Sequence, residues 1–299
     1  MGKVAFVFSG QGDQYPGMGK ELVKEYPAAA RLYALCDRLR PGTSAQCFGG
    51  SEEELRETKN TQPCLYAMEL AAAAVLKEQG IVPDAVAGFS LGEVAAAAVS
   101  GLFDAETGFR LVCTRGRLMQ QEAERFDTAM VAVIRLTPEQ VQEVCRQVPD
   151  VYPVNFNCPG QVSVSGLAPR IEEFSGKIRE MGGRTVPLKV KGAFHSPFME
   201  KAAEAFAREL AGVEFQKPSV VLYSDLTAEP YGEDAAGLLS RQICSPVQWE
   251  RLIRGMIAAG VDTFLEVGPG KTLTNMIRKI DGSAKAQNYM EYLAEVQQC

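Results

Sequence analysis

Three residues stand out for the chemistry their types and settings allow: a serine, a histidine and an arginine. Ser90 lies in Gly88-Phe89-Ser90-Leu91-Gly92, between an apolar run ending at Gly88 and an alanine-rich segment from Leu91 to Gly101. A Gly-x-Ser-x-Gly on a strand-to-helix turn is the pattern of a nucleophile elbow. The glycines let the backbone fold tightly, and the helix that follows aims unpaired N–H groups at whatever the serine attacks. A serine hydroxyl is a weak nucleophile without a base, and histidine is the usual base. The chain contains one histidine, His195, in Gly192-Ala193-Phe194-His195-Ser196-Pro197. The competing reading is a serine that merely caps the helix.

Arg115 belongs to a helical segment from Asp104 to about Arg125. Leu111, Val112, Leu118 and Met119 stand three or four positions from it, so it falls in the middle of the apolar face, whereas Arg110 and Arg117 fall opposite. Arginine is rarely buried without an anion beside it. An internal salt bridge would satisfy it, but so soon after a nucleophile elbow a substrate carboxylate is the better partner, taken bidentately by the guanidinium fork. Such a bond is worth about 1.5–3 kcal/mol, or about tenfold to over a hundredfold in selectivity for a carboxylated acyl group. The turn Ser9-Gly10-Gln11-Gly12 follows the first strand, and its N–H groups could face an anion. The backbone amides of Gln11 and Leu91 are the candidate oxyanion donors, and losing one typically costs roughly 3–4 kcal/mol. No acidic residue is marked by motif as a third triad member, and a backbone carbonyl could orient the imidazole instead.

The elements that must position these groups follow from periodicity. Lys3–Phe8 reads as a strand, with helical patterns at 18–25 and 28–38 and a capping box at Ser51 opening a short helix. Thr61-Gln62-Pro63 starts a long helix to Gly80, with proline near its first turn. Beyond residue 126 come a strand (129–136), a helix (137–147), a strand pair (152–155 and 161–165), a helix (169–181) and a strand (184–190). That βαββαβ order is the ferredoxin-like pattern. Strands at 220–224 and 263–267 and a terminal helix from Asn288 complete the reading. The chain thus divides into a discontinuous large α/β domain, 1–125 and 193–299, and a small inserted domain, 126–192.

Composition bounds the class. With 299 residues, 46% hydrophobic and 23% charged, the chain is long enough for a sizeable globular core, and its net charge of −6 argues against nucleic acid as the main partner. Eight cysteines without a Cys-x-x-Cys pair, and a lone histidine, argue against a structural zinc site. Val4–Phe8 is too short for a signal core, no run approaches membrane-spanning length, and Phe6 stands where a myristoylation motif needs Ser or Thr. Reduced thiols and a cytoplasmic location are expected. Gly268-Pro269-Gly270-Lys271-Thr272 ends like a phosphate-binding loop, but Leu265 stands where that motif needs glycine, so a tight turn is expected there.

Seven motifs occur in one order: Gly10-Gln11-Gly12, Gly-x-Ser-Leu-Gly-Glu at 88–93, Arg115-Gly116, Asn157-x-Pro159-Gly160-Gln161, Ala193-Phe194-His195-Ser196, Pro246-Val247-Gln248-Trp249 and Glu266-Val267-Gly268-Pro269-Gly270. With them the chain, to about residue 280, resembles the malonyl-CoA:acyl-carrier-protein transacylases of fatty acid synthesis and the acyltransferase domains of polyketide synthases. The resemblance implies an α/β-hydrolase-like core with a ferredoxin-like insert. It implies that Ser90 takes a malonyl group from CoA and passes it to the phosphopantetheine thiol of a holo acyl carrier protein, with His195 as base and then acid. Arg115 would hold the malonyl carboxylate, Gln11 and Leu91 the oxyanion, and the Gln248 region would offer a main-chain carbonyl to the histidine. Phe194, Phe89 and Asn157 would line the substrate pocket. No cofactor and no metal are implied, the CoA thioester being a substrate, and a monomer without nucleic-acid or membrane partners is expected.

Phe194 matches the form associated with malonyl selection, by sterically excluding an α-substituent. Phe89 departs from the usual histidine before the nucleophile, which leaves a substituted malonyl unit as an alternative. Arg135 and Cys158 depart from the usual small residues of the insert. Two further readings are an acyl hydrolase acting on carrier-bound groups, with water in place of the carrier thiol, and a non-catalytic subunit that docks the carrier. For carrier docking, Lys189 and Lys191 are the basic candidates.

Overall fold

The computed structural model describes residues 2–190 and 192–297. The chain opens with β1 (Lys3–Phe8), followed by α1 (Lys20–Glu25), α2 (Pro27–Leu39), α3 (Thr43–Gly49), α4 (Glu52–Arg56) and the long α5 (Thr58–Glu78). Then come β2 (Ala85–Gly88), α6 (Leu91–Ser100) and α7 (Ala105–Ala123). The middle of the chain holds β3 (Thr128–Ile134), α8 (Pro138–Gln147), β4 (Val151–Cys158), β5 (Gln161–Leu167), α9 (Ala168–Glu180) and β6 (Arg184–Pro187). The last third holds α10 (Glu200–Leu210), β7 (Val221–Leu222), α11 (Ala235–Gln242), α12 (Trp249–Ala258), β8 (Val261–Val267), α13 (Thr272–Ile280), β9 (Lys285–Asn288) and α14 (Tyr289–Gln297).

The architecture is mixed α/β with two separate sheets. A parallel sheet runs β7-β2-β1-β8-β9, and an antiparallel sheet runs β4-β5-β3-β6. β2 is buried along its whole length and β1 over its last four residues, as expected of central strands covered by helices on both faces. The turns after β1 and β2 therefore emerge side by side at the carboxyl edge of the parallel sheet, where α/β sheets place their ligands. The antiparallel sheet is tied to the rest of the molecule at Val247: its N–H donates to Val154 O (2.9 Å) and its carbonyl accepts from Phe156 N–H (2.9 Å). Among the described residues, no helix is long and apolar enough to cross a membrane, and seven cysteines are free thiols.

Several expected boundaries shift. α5 begins at Thr58 rather than Thr61, so Pro63 lies inside the helix instead of at its first turn. The Glu57 carbonyl already accepts from Asn60 and Thr61 N–H, closing the first turn before the proline, and the carbonyl that Pro63 cannot serve belongs to the exposed Lys59. α7 packs on this first turn, and Gly116 permits it: a Cβ there would lie 2.8 Å from the Thr58 carbonyl oxygen. β6 ends at Pro187, short of 190, since it is an exposed edge strand that proline closes. β7 shrinks to two residues, and β9 occupies an edge that sequence patterning does not mark.

Candidate active site

The elbow is built from backbone packed on backbone. A Cβ on Gly88 would lie 1.9 Å from the Gly92 carbonyl carbon, and one on Gly92 would lie 2.2 Å from the Phe8 carbonyl oxygen. Only glycines let β2, the start of α6 and the end of β1 approach so closely. Between them Ser90 takes φ 56° and ψ −103°, a conformation that costs about 1–3 kcal/mol and persists only when its surroundings hold it. Backbone hydrogen bonds hold it: the Ser90 N–H donates to Asp225 Oδ2 (2.6 Å), and its carbonyl accepts from Gln242 Nε2 (2.9 Å) and from Glu93 N–H (3.2 Å). The Ser90 side chain makes no cap hydrogen bond, which disposes of the capping reading. Its Oγ lies 2.8 Å from His195 Nε2 and 3.2 Å from Arg115 Nη2.

His195 also takes a positive φ, 60°, and its N–H donates to Ile243 O (3.2 Å). Its Nδ1 faces two carbonyl oxygens, Gln242 at 2.9 Å and Ser245 at 3.2 Å. Carbonyls only accept, so Nδ1 carries the proton and Nε2 is free to accept from the Ser90 hydroxyl. Burial pushes the imidazole down to about 4, with the Arg115 charge lowering it further and the two carbonyls opposing. The ring is therefore neutral at ordinary pH, the form a base requires.

The expectation for Gln248 needs correction. The carbonyls that face Nδ1 come from Gln242 and Ser245, whereas the Gln248 carbonyl accepts from Leu252 N–H (2.9 Å) in the first turn of α12. The Val247 pairing with β4 sets this register and leaves the Gln248 carbonyl committed to its own helix.

Arg115 is 1% exposed, in the middle of the buried face of α7. Its Nη2 donates to Gln242 Oε1 (2.7 Å) and to Ser90 Oγ, while Nε and Nη1 are buried without a partner. Burial lowers its pKa to about 10, with Asp225 and Glu93 opposing, so the guanidinium stays charged. A buried cation with two unpaired donors beside a serine hydroxyl has the chemistry to bind an anion. Gln242 is the residue sequence reasoning missed: its side chain touches Ser90 and Arg115, and its carbonyl touches His195.

The remaining candidates are placed as follows. Neither the Gln11 nor the Leu91 amide N–H donates to another group among the described residues, and the Gln11 side chain reaches Thr58 Oγ1 (3.4 Å). Phe89 turns its ring onto Trp249, edge to face at 5.5 Å. Phe194 is buried next to His195, and its carbonyl accepts from Ser165 Oγ (3.5 Å). Asn157, buried on β4, donates to Ser163 Oγ (3.1 Å) and shares no hydrogen bond with Ser90, Arg115 or His195. Lys189 is exposed and lines a cleft of about 450 Å³ with Gln11, Tyr15 and Arg56; Lys191 lies outside the described residues. Cys158 is buried, and Arg135 takes φ 74° with its N–H on Gly160 O (3.2 Å). At the Gly268–Thr272 turn, Glu266 accepts from Leu273 N–H (3.0 Å) and Thr274 N–H (2.8 Å), so the chain's own carboxylate fills the helix N-terminus that a phosphate would need. Among the described residues no group of His, Cys, Asp or Glu is arranged to hold a metal ion.

Comparison with known proteins gives a consistent result. The acyl transferase domain family matches residues 5–294. A malonyl CoA-acyl carrier protein transacylase of Bacillus subtilis is 38% identical over 293 residues, covering 95% of this chain and 92% of that protein. Among solved structures, the malonyl CoA-acyl carrier protein transacylase of Clostridium perfringens superposes with a TM-score of 0.94 at 34% identity, over 99% of this chain and 98% of that one. A type II polyketide synthase acyl-carrier protein in complex with its malonyl-transacylase includes a chain with a TM-score of 0.94 at 32% identity, covering 99% of this chain and 100% of that one.

Proposed function

The chain belongs to the acyl transferase domain family, and on that premise we propose that it is a malonyltransferase acting between coenzyme A and an acyl carrier protein through a Ser90 acyl-enzyme. The observation that carries the reading is the pairing of a Ser90–His195 contact with a buried, half-unpaired Arg115 beside it. The first supports Ser90 as an acyl-transfer nucleophile; the second favours an acyl group with a carboxylate of its own.

Ser90 Oγ attacks the thioester carbonyl as its proton passes to His195 Nε2, and the Gln11 and Leu91 amides take the charge on the carbonyl oxygen. The intermediate collapses with cleavage of the C–S bond, and His195 returns the proton to the leaving CoA thiolate. The carrier's phosphopantetheine thiol then gives its proton to His195, attacks the Ser90 ester, and leaves with the malonyl group while Ser90 regains its proton. Arg115 holds the distal carboxylate throughout, so the malonyl unit stays in place while the thiols exchange. The cleft beside Gln11, flanked by Arg56 and Lys189, suits the pantetheine arm and the acidic face of a carrier.

We read the parallel-sheet part as α/β-hydrolase-like and residues 126–192 as a ferredoxin-like insert, which the order β3-α8-β4-β5-α9-β6 supports. A monomer in the cytoplasm, serving fatty acid or polyketide synthesis without a cofactor, completes the proposal. Initial rates with malonyl-CoA and holo carrier varied together test it: a ping-pong enzyme gives parallel double-reciprocal lines. Intersecting lines would mean direct transfer with both substrates bound, and hydrolysis that ignores the carrier would mean a thioesterase.

A further inference from the structure

Against the backbone of the elbow lies a polar cluster that the reaction above does not use. Asp225, Glu93 and Ser90 meet there although Asp225 is far from both in sequence. Asp225 and Glu93 are each 0% exposed. Asp225 Oδ2 accepts from the Ser90 N–H at 2.6 Å, and the Asp225 N–H donates to Glu93 Oε2 at 2.7 Å. The Tyr231 hydroxyl donates to Glu93 Oε1. Asp225 Oδ1 is buried without a hydrogen-bond partner, on a residue whose own N–H is bound by the Glu93 carboxyl group. Two ionised carboxylates buried side by side, one with an oxygen that no donor reaches, are costly, and one proton between them removes that cost. Glu93 already accepts from two donors, which makes it the acceptor of the pair. The proton therefore belongs on Asp225, and burial, with Glu93 adding to it, raises the Asp225 carboxyl well above the usual carboxylate range.

We propose that Asp225 is a positioning residue for the nucleophile, a neutral carboxylic acid that donates from Oδ1 to Glu93 and accepts the Ser90 N–H on Oδ2. In that form the Tyr231–Glu93–Asp225–Ser90 chain of hydrogen bonds runs donor to acceptor without an unpaired member. It pins the amide of a residue whose φ of 56° no ordinary helix start would keep. The Ser90 Oγ is thereby held between His195 Nε2 and Arg115 Nη2 before substrate arrives. The inference rests on the reading of Ser90 as the nucleophile.

A protonated aspartic acid and an asparagine offer the same pattern, one donor and one acceptor, so the test is rescue. In Asp225→Ala the acceptor is lost, and kcat for Ser90 acylation is expected to fall about tenfold or more with KM for malonyl-CoA little changed. In Asp225→Asn the pattern returns, and kcat is expected to stay within about twofold of the native value. The infrared difference between native protein and Asp225→Asn at neutral pH is expected to contain the C=O stretch of a protonated carboxylic acid. A native kcat in Asp225→Ala overturns the positioning role. An Asp225→Asn variant that folds but loses as much as Asp225→Ala, or a difference spectrum with carboxylate bands only, overturns the neutral acid. Should Asp225→Ala fail to fold, the Asp225→Asn rate and the infrared band still decide. If native protein gains no acyl group on Ser90, the nucleophile assignment falls instead, and the infrared band reports on the proton regardless.

Discussion

Arg115 places Nη2 3.2 Å from the Ser90 hydroxyl and leaves Nε and Nη1 buried without partners. The arginine is thus aimed at the nucleophile's own space, with donors to spare for an anion that arrives with the acyl group. Replacing it with alanine should lower kcat/KM for malonyl-CoA by about tenfold to over a hundredfold, the value of a charge-assisted bidentate bond. Acetyl-CoA, which has no carboxylate to hold, should lose far less. Steady-state rates with the two thioesters check this, and equal losses on both would remove Arg115 from substrate selection.

The imidazole is held at about 4, first by burial and then by the Arg115 charge. A lowered pKa keeps the base neutral further into acid, so the acid limb of Ser90 acylation should lie well below the ordinary imidazole value. The rate should stay flat from about pH 8 down to about pH 5. Without the Arg115 charge the pKa rises part of the way back, so the limb in Arg115→Ala should move to higher pH. A pre-steady-state acylation profile for each protein reads this directly.

Gln242 joins the Ser90 carbonyl to the Arg115 guanidinium through one side chain. Gln242→Leu breaks both links while keeping the backbone carbonyl that faces His195. The expected result is a drop in acylation rate of about tenfold or more. Leaving buried polar groups unpaired should also cost about 1–3 kcal/mol of stability. Acylation kinetics and denaturant unfolding measure the two effects separately.

Gly92 lets the start of α6 lie against the end of β1, where a Cβ would fall 2.2 Å from the Phe8 carbonyl oxygen. Gly92→Ala should destabilise the fold by about 1–3 kcal/mol or more through overpacking. The measurement is the urea midpoint, which should fall at unchanged slope.

The parts of the site visible in the sequence are those whose chemistry is fixed by residue type and local spacing. Ser90 is marked by two glycines, Arg115 by its place on a helical apolar face, and His195 by being alone. Gln242 and Asp225 carry no such mark. Gln242 serves His195 through a main-chain carbonyl, which any residue possesses, and the Gln248 assignment failed for the same reason. Asp225 meets Ser90 only through the fold, across β7 and the turn after it. Likewise β9 and α3 are short and weakly patterned, whereas β1, β2, α6 and α7 follow directly from apolar runs and helical spacing.

The central claim is that a malonyl group rests on Ser90 between two thiols. Intact mass after brief exposure to malonyl-CoA, with peptide mapping of the adduct and then addition of holo carrier protein, tests it most directly. One malonyl group is expected on Ser90, leaving the enzyme as the carrier gains it, with no adduct in Ser90→Ala. An adduct lost equally fast without carrier, or malonyl transfer that survives Ser90→Ala, would contradict it.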